Sequence, residues 1–304
     1  MTPPVVIAPE VREALAGGRA VVALETSVVA QGLPRPRNLE AAERMAKAIA
    51  ALGGTPAWIG VRDGTVRIGL GDAELERLAE PGAAAKVARR DLAVAMAGGV
   101  LGATTVSATI WAAHRAGIAV AATGGIGGVH NASGDVSADL AELASTPVLL
   151  VCSGPKSIVD PVATAERLEE LGVVVVGYRC DRLPFFLASE AQVDLEHRVD
   201  DPAEAAALLT AQRHLGIGSA IVLCNPVPAD RAMDATVVAS AVLGCEERAG
   251  REGVRGKELT PFLLRCLAEA TAGASLEANL ALLESNAALA AEVALAVAEE
   301  RLST

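Results

Sequence analysis

Short apolar runs rich in β-branched residues recur along the chain, and each is followed by a polar or glycine-containing turn and then by a helical pattern. They lie at 21–24, 120–122, 148–151, 173–176 and 221–223. Strands buried on both faces that alternate with helices are typical of α/β proteins with a largely parallel sheet. The pattern therefore predicts an α/β fold.

Between Trp58 and Leu70 the sequence predicts two strands joined by a turn at Asp63-Gly64. An antiparallel hairpin of this kind would make the sheet mixed but mostly parallel. No proline- or serine-rich linker, tandem repeat or long charged block interrupts the chain. We therefore expect residues 1–304 to form a single domain with three layers, α/β/α.

An uncharged stretch from Ala93 to Ala113 is long enough to span a membrane, but glycine, threonine and serine residues crowd its centre. We interpret it as a buried helix, a turn and a second helix. The formal net charge of -11 also argues against binding to nucleic acid or to an anionic membrane, because both need a concentrated excess of Lys and Arg.

The five cysteines form no C-x-x-C pair, their number is odd, and the chain opens without a basic region and an apolar leader. We therefore expect a cytoplasmic protein whose thiols are reduced and serve as buried packing residues.

Lysine is rare, at four of the 26 basic residues, and the others are arginines. A guanidinium does not lose its proton in proteins, whereas an ammonium group can. The lysines of this chain are therefore candidates for roles that need a neutral amine.

Ligands of open α/β sheets bind beyond the carboxyl ends of the strands. Those ends carry Glu25 after the first run, a glycine-rich loop at 123–130 after the second, Lys156 after the third and Asn225 after the last. A carboxylate, a glycine-rich loop and a lysine would then converge on one face, as acid–base chemistry, phosphate binding and amine nucleophilicity require.

Each of these features also has an ordinary explanation. Glu25 could cap a helix or form an ion pair as readily as it could move a proton. The loop lacks the G-x-G-x-x-G pattern of dinucleotide sites, and its glycines suit either an anion or a tight turn. Lys86 could hold a phosphate or lie solvated on the surface.

Lys156 stands between a strand and a predicted helix, where desolvation and the helix N-terminus would favour the neutral amine. A neutral amine can attack a carbonyl carbon or its equivalent. The alternative is a lysine that only reaches toward a bound phosphate.

Polar groups occupy every second position from Asp135 through Ser137 to Asp139. Two carboxylates and a hydroxyl could bind a hard divalent ion such as magnesium or manganese, with waters completing the shell. Capping of the next helix explains the spacing nearly as well. His130 could be a ligand, a base or an ordinary polar loop residue.

Ten segments extend this picture, in one order and with few gaps, from about Val5 to Ala294. They are ALETSVVAQGLPRPRN, KVARRDL, GATTVSATIWAAHRAGI, ATGGIGGVH, DVSADLAELA, CSGPKSIVD, GYRCDRLPFF, NPVPAD, GKELTPFLL and SLEANLALLESNA. Together they closely resemble the pseudouridine-5'-phosphate glycosidase family, which is indigoidine synthase A-like.

The resemblance implies reversible cleavage of pseudouridine 5'-phosphate to uracil and ribose 5-phosphate, with a divalent metal, usually manganese, on a homotrimeric α/β/α fold. By motif it implies Lys156 as the Schiff-base nucleophile, Glu25 as the proton donor and Asp135 as the metal ligand. Further positions match substrate-binding or pocket residues of the family. These are Lys86, Val106, Ser137, Ala138 and Asp139, together with Thr123, His130 and Asn279.

Two departures from the family pattern matter. Glu25-Thr26-Ser27 replaces the usual Glu-Ser-Thr and keeps both hydroxyls. The loop between His130 and Asp135 is shorter than usual, and Asn131 stands where arginine is common, which could weaken metal or phosphate binding.

Two other functions fit the same residues. A Lys156 imine could serve another sugar-phosphate lyase or an altered nucleobase, and a panel of C- and N-glycosides would separate these. A catalytically silent sugar-phosphate-binding protein would keep the pocket, but phosphate binding alone tolerates arginine, and this arginine-rich chain has lysine at position 156.

Overall fold

Alternating residues of the central strands pack on opposite faces of one sheet. In the computed structural model, which describes residues 4–130 and 135–303, Val22 and Leu24 belong to one apolar core, whereas Val21 and Ala23 belong to the other. Successive side chains of a strand point to opposite faces, so a strand that is apolar throughout needs a helical layer on each side.

Eleven strands of the described chain form this mixed sheet. Their bounds are β1 Val5–Ile7, β2 Val21–Glu25, β3 Thr55–Arg62, β4 Thr65–Ile68, β5 Ala85–Val87, β6 Gly102–Thr104, β7 Val120–Ala122, β8 Leu149–Cys152, β9 Val174–Tyr178, β10 His197–Val199 and β11 Ile221–Cys224. The strand order is β1-β4-β3-β2-β7-β8-β11-β9-β10, and β6 pairs with both β3 and β5. All pairs are parallel except β3–β4 and β3–β6.

The α-helices of the described residues cover both faces of the sheet. Their bounds are α1 Pro9–Ala16, α2 Arg37–Ala51, α3 Asp72–Leu78, α4 Leu92–Ala97, α5 Val106–Arg115, α6 Ala138–Leu143, α7 Pro161–Glu170, α8 Pro202–His214, α9 Ala235–Glu252, α10 Leu259–Ala270 and α11 Ala274–Ser303. Helices α2, α8 and α11 contribute to one apolar core, and α1, α5 and α7 contribute to the other. The α/β/α class with a mixed, mostly parallel sheet is confirmed.

The predicted strands correspond to β2, β7, β8, β9 and β11, with small shifts at their ends. The predicted hairpin is β3–β4, which is antiparallel. Its turn residues Asp63 and Gly64 have φ values of 51° and 71°, the left-handed conformation that Asp-Gly turns favour.

The prediction for Ala93–Ala113 was wrong in one respect. The stretch contains the end of α4, then the three-residue strand β6, and then α5, instead of two helices joined by a turn. Strand β6 fits tightly between its partners, because a Cβ atom at Gly102 would lie 2.6 Å from Val87 Cγ2. These contacts are distant in sequence, so no local pattern signals the strand.

Helix α11 is long and apolar enough to cross a membrane over Ala274–Glu300, and the mean hydropathy of its most apolar 18-residue window is 1.6. However, 61% of its most apolar window is buried inside the protein, against α2, α8 and strands of the sheet. The core of the fold therefore accounts for its composition.

Cys245 in α9 and Cys266 in α10 form a disulfide, with Cα atoms 5.8 Å apart. The expectation that all thiols are reduced is wrong for this pair. The two residues are separated by 21 positions and lack a C-x-x-C pattern, and only the packing of α9 against α10 brings them together. Cys152 and Cys224 are free and buried, as expected, and Cys180 is free and partly buried.

Candidate active site

A cavity of about 250 Å³ opens beyond the carboxyl ends of β2, β7 and β8. The sequence predicted that ligand chemistry would gather here, since parallel strands end on the same edge of a sheet. All of the predicted site residues line this cavity. They are Glu25, Lys86, Val106, Thr123, His130, Asp135, Ser137, Ala138, Asp139, Lys156 and Asn279.

Glu25 is the last residue of β2, and 4% of it is exposed. Its carboxylate accepts hydrogen bonds from the hydroxyls of Ser27 and Thr123. Both partners are hydroxyl groups. A capping carboxylate would instead bond a backbone amide at a helix N-terminus, and an ion-paired one would bond a cationic side chain, so these two contacts match neither alternative. The arrangement holds a carboxyl group in the cavity wall, where it can exchange a proton with a bound ligand.

Lys156 is half-buried in the loop after β8. A short parallel bridge fixes the loop, because Ile126 N donates to Gly154 O at 3.1 Å and Lys156 N donates to Ile126 O at 3.0 Å. Gly154 has a φ of +75°, and a Cβ atom there would collide with the carbonyl of Pro184. The path of the backbone therefore requires glycine at position 154.

The expected proximity of Lys156 to a helix N-terminus is not observed. Helix α7 begins at Pro161, and its N-cap is Asp160, whose side chain accepts from Ala163 N at 3.0 Å. The helix dipole acts mainly within the first turn, so the N-terminus of α7 does not act on the Lys156 side chain as the sequence predicted.

Asp139 is buried, and its carboxylate bonds two backbone amides. Oδ1 accepts from Ser107 N at 3.0 Å, and Oδ2 accepts from Gly127 N at 3.1 Å. Gly127 admits this contact because a Cβ atom there would overlap the side chain of Ser137. Asp139 thus joins the glycine-rich loop to the N-terminus of α5, and the Gly127 amide already has a carboxylate partner.

Lys86 lies in β5, whose pairing with β6 places it beside the start of α5. Val106 is the first residue of that ten-residue helix, and Thr105 is its N-cap. Burial lowers the pKa of Lys86, and the positive charge of Lys156 lowers it further. Lys86 and Lys156 bring two cations to this part of the cavity, which suits a phosphate dianion, and the Asp139 carboxylate already accepts from Ser107 N at the start of α5.

His130 is buried in the cavity wall. Burial lowers its pKa, although the neighbouring Asp135 acts in the opposite direction. One ring nitrogen bonds the carbonyl of Ile158, and Nδ1 has no hydrogen-bond partner among the described residues. His130 could therefore accept a proton or a hydrogen bond from a ligand.

Asp135 is an exposed carboxylate at the edge of the cavity. The described residues contain no group of three or more His, Cys, Asp or Glu side chains that could hold a metal. Asp139, the other carboxylate of the predicted pair, accepts from one backbone amide with each of its oxygens. A single carboxylate fits a hard divalent ion that takes most of its ligands from water or substrate.

The shortened loop and Asn131 lie outside the described residues. On the far side of this loop, Ser137 caps α6, and its Oγ accepts from Asp139 N at 3.3 Å. Ala138 is the first residue of that helix. The capping alternative for Ser137 is therefore observed.

Several residues of the cavity were not predicted. Lys257 forms an ion pair of 2.9 Å with Asp91, between the turn before α10 and the turn before α4. Phe186, with a φ of 54°, places its ring beside the glycine-rich loop, and Leu283 of α11 adds a second apolar surface. Their only sequence signal was their occurrence in segments that carried the family resemblance. Asn225 is not among the residues that line the cavity.

The family model of indigoidine synthase A like protein matches residues 10–296 of the chain. Pseudouridine-5'-phosphate glycosidase of Saccharopolyspora erythraea is 47% identical over 296 residues, which cover 96% of this chain and 98% of that protein. The protein of the same name from Gemmatimonas aurantiaca is 48% identical over 288 residues, which cover 94% of both chains.

Solved structures share the whole fold. The prealnumycin C-glycosynthase, crystallised with ribulose 5-phosphate, superposes with a TM-score of 0.91 at 36% identity and covers 100% of both chains. The indigoidine synthase A-like protein of Thermotoga maritima superposes with a TM-score of 0.89, also at 36% identity, and the match covers 97% of this chain and 96% of that one.

Proposed function

Because this chain belongs to the indigoidine synthase A-like family, we infer that it cleaves the carbon–carbon glycosidic bond of pseudouridine 5'-phosphate. The products are uracil and ribose 5-phosphate. The structural observation that carries the inference is the convergence of Lys156, Glu25 and Lys86 on one cavity. These groups supply a nucleophile, a proton donor and a cation for the phosphate.

The bond itself calls for covalent catalysis. A carbon–carbon glycosidic bond has no leaving oxygen or nitrogen to protonate, so the usual route through two carboxylates and an oxocarbenium ion suits it poorly. A lysine amine provides another route, because it can form an imine with C1' of an opened sugar. We propose Lys156 as that amine.

In the first step, the Nζ electron pair of Lys156 forms a bond to C1' while the C1'–O4' bond breaks, and O4' takes the proton that Nζ loses. The nitrogen lone pair then forms a C=N bond as the C1'–C5 bond breaks. The electron pair of that bond goes to C5 of uracil, which takes a proton from Glu25 or a relayed water. Water finally hydrolyses the imine, which releases ribose 5-phosphate and restores Lys156.

The Glu25 carboxyl group suits the proton transfer to C5. Hydrogen bonds from Ser27 and Thr123 fix the carboxyl group at the end of β2, so it does not have to be ordered during the reaction. The replacement of the family's Glu-Ser-Thr by Glu-Thr-Ser keeps a hydroxyl at position 27 for this contact.

The function is tested by incubating purified protein with pseudouridine 5'-phosphate and manganese and measuring uracil and ribose 5-phosphate by chromatography. We expect the two products in equal amounts. A panel of other C-nucleotides and N-nucleotides, including uridine 5'-phosphate, would identify a different base or bond. Release of a base from another member of the panel, without uracil from pseudouridine 5'-phosphate, would favour the related lyase hypothesis.

We propose that Asp135 contributes to binding a divalent ion, with manganese as the preferred metal. Such an ion would supply a positive charge near the substrate. Chelation should remove most activity, and manganese should restore it. Asp135→Asn should raise the manganese concentration for half-maximal activity by about tenfold or more, equivalent to about 1.4 kcal/mol of binding.

A matched control is Asp63→Asn, which removes a carboxylate in the β3–β4 turn, a position that tolerates asparagine. It should leave the manganese requirement unchanged. Both variants should unfold within about 0.5 kcal/mol of wild type, because neither carboxylate lies in the core. Full turnover of metal-stripped protein would rule out the metal.

A homotrimer and a cytoplasmic location belong to the same proposal. The first follows from the family resemblance and the second from the sequence. The Cys245–Cys266 disulfide disagrees with a reducing compartment, in which we expect the two thiols to pack side by side. Sedimentation velocity in the presence of a dithiol reductant measures the assembly under those conditions.

A further inference from the structure

One buried amide on the apolar helix α11 joins the loops that follow three strands of the sheet. Asn286 is 0% exposed, and leucine and alanine residues of the same helix surround it in the core. Burial of an amide without hydrogen bonds costs about 1–3 kcal/mol. Its place in this helix therefore needs compensating contacts.

The NH₂ group of Asn286 provides contacts to two loops. Nδ2 donates to Thr123 O at 2.9 Å and lies 3.3 Å from Gly124 O, both in the loop after β7. It also donates to Ser153 Oγ, at 3.1 Å, in the loop after β8. A single side chain thus holds the glycine-rich loop and the Lys156 loop against α11.

The carbonyl oxygen of Asn286 reaches the third loop. Oδ1 accepts from Asn225 Nδ2 at 3.0 Å, directly after β11, and lies 3.3 Å from Ser153 Oγ. Asn225 also donates to Ser285 Oγ at 3.0 Å. This explains why Asn225 follows a strand without lining the cavity.

Of the two loops held by the Asn286 amide, the loop after β8 carries Lys156, and the loop after β7 contacts Glu25 at the end of β2. The Thr123 hydroxyl donates a hydrogen bond to the Glu25 carboxylate. Beyond Ser153, the second loop reaches Lys156, whose backbone bonds Ile126 of the first loop. A shift of either loop would change the separation between the amine and the proton donor.

We propose that Asn286 is a positioning residue that sets the geometry between Lys156 and the Thr123–Glu25 pair. The inference rests on the proposed function, because it assigns Asn286 to the same reaction. Asn286 itself is not among the residues lining the cavity. Lys86 and Val106 lie on β5 and α5, outside this amide network, so phosphate binding should be largely independent of it.

The test compares Asn286→Leu, which removes both the donor and the acceptor, with Gln212→Leu. Gln212 is a buried amide of α8 whose Nε2 bonds the carbonyl of Ser219, before β11 and at the opposite end of the sheet from the cavity. Both variants lose a buried amide, and both should unfold at a lower temperature than wild type. Activity is measured well below both unfolding temperatures.

We expect Asn286→Leu to lower kcat by about 100-fold, as displacement of reacting groups by about 1 Å can do, with KM for pseudouridine 5'-phosphate changed far less. Borohydride trapping of ribose 5-phosphate on Lys156 should slow in parallel. Gln212→Leu should keep the wild-type kcat and trapping rate. An Asn286→Leu enzyme with wild-type kcat would overturn the inference.

The isosteric Asn286→Asp variant provides a second test, which decides the matter if the leucine variant does not fold. Burial raises the pKa of a carboxyl group, and only the protonated acid can donate to the Thr123 carbonyl. Its kcat relative to wild type should therefore rise as the pH falls. A pH-independent ratio near one would contradict the inference, whereas absence of turnover in wild type would instead refute the proposed function.

Discussion

Replacing Lys156 with arginine should abolish turnover while the protein continues to fold and to bind ribose 5-phosphate. Arginine keeps the positive charge, but its guanidinium stays protonated and is a very poor nucleophile. We expect kcat to fall by at least about 10³-fold, equivalent to about 4 kcal/mol of activation free energy. A modest relocation of charge near the surface accounts for only about 1 kcal/mol.

The covalent intermediate can be located directly. Ribose 5-phosphate and borohydride should leave a reduced adduct on Lys156 of the wild-type enzyme and none in the arginine variant. Peptide mapping separates this site from Lys86 and Lys257, which line the same cavity.

The matched control is Lys47→Arg. The Lys47 side chain is 73% exposed and pairs with Glu43 on the surface of α2, so both turnover and the adduct should persist. An active Lys156→Arg enzyme, or an adduct on another lysine, would refute the mechanism. Retention of both substrate binding and turnover in Lys156→Arg would instead support the phosphate-contact alternative, because a contact to phosphate tolerates arginine.

The long central strands were predictable because their signal is local. Strands such as β2 and β8 are apolar at nearly every position, and both faces of each are buried. The short strand β6 gave no such signal. It forms because strands distant in sequence, β3 and β5, pair with it, and Gly102 lies close to Val61 and Val87 of those strands. Local patterns cannot report contacts of this kind.

The convergence of the site followed from the same topology. Since the parallel strands β2, β7 and β8 end at one edge, Glu25, Thr123 and Lys156 reach one cavity even though they are far apart in sequence. The relation of Lys156 to α7 was less predictable, because the loop continues to Asp160 before the helix begins. A loop length of a few residues decides whether a helix dipole acts on a side chain.

The partners of polar residues could not be predicted from spacing. Asp135, Ser137 and Asp139 alternate in sequence, but Asp139 points to the amides of Ser107 and Gly127, whereas Asp135 is exposed at the cavity edge. Asn286 looked like one more residue of a long helix. Its importance depends on two loops that are more than a hundred residues away in sequence.

Removal of the 5'-phosphate from the substrate should have the second-largest effect. Pseudouridine should react with kcat/KM at least about 100-fold lower than pseudouridine 5'-phosphate, equivalent to roughly 3 kcal/mol. The phosphate would contact Lys86 beside the N-terminus of α5, and charge-assisted hydrogen bonds are worth about 1.5–3 kcal/mol each. Binding energy from a remote group also supports orientation in the transition state, so kcat should fall as well as KM rise.

Lys86→Gln should produce much of the same loss with the phosphorylated substrate and little with pseudouridine, because the variant removes the cation that distinguishes the two.

The pH dependence of ribose 5-phosphate binding provides an independent check. Burial and the charge of Lys156 lower the pKa of Lys86, and a bound phosphate dianion would raise it again. Binding of ribose 5-phosphate should therefore take up protons, and its affinity should fall as the pH rises through the lowered pKa of Lys86. The pH dependence of ribose 5-phosphate binding should flatten in Lys86→Gln. Equal kcat for pseudouridine and pseudouridine 5'-phosphate would show that the phosphate makes no contact specific to the transition state, and would refute the assignment of Lys86 to the phosphate.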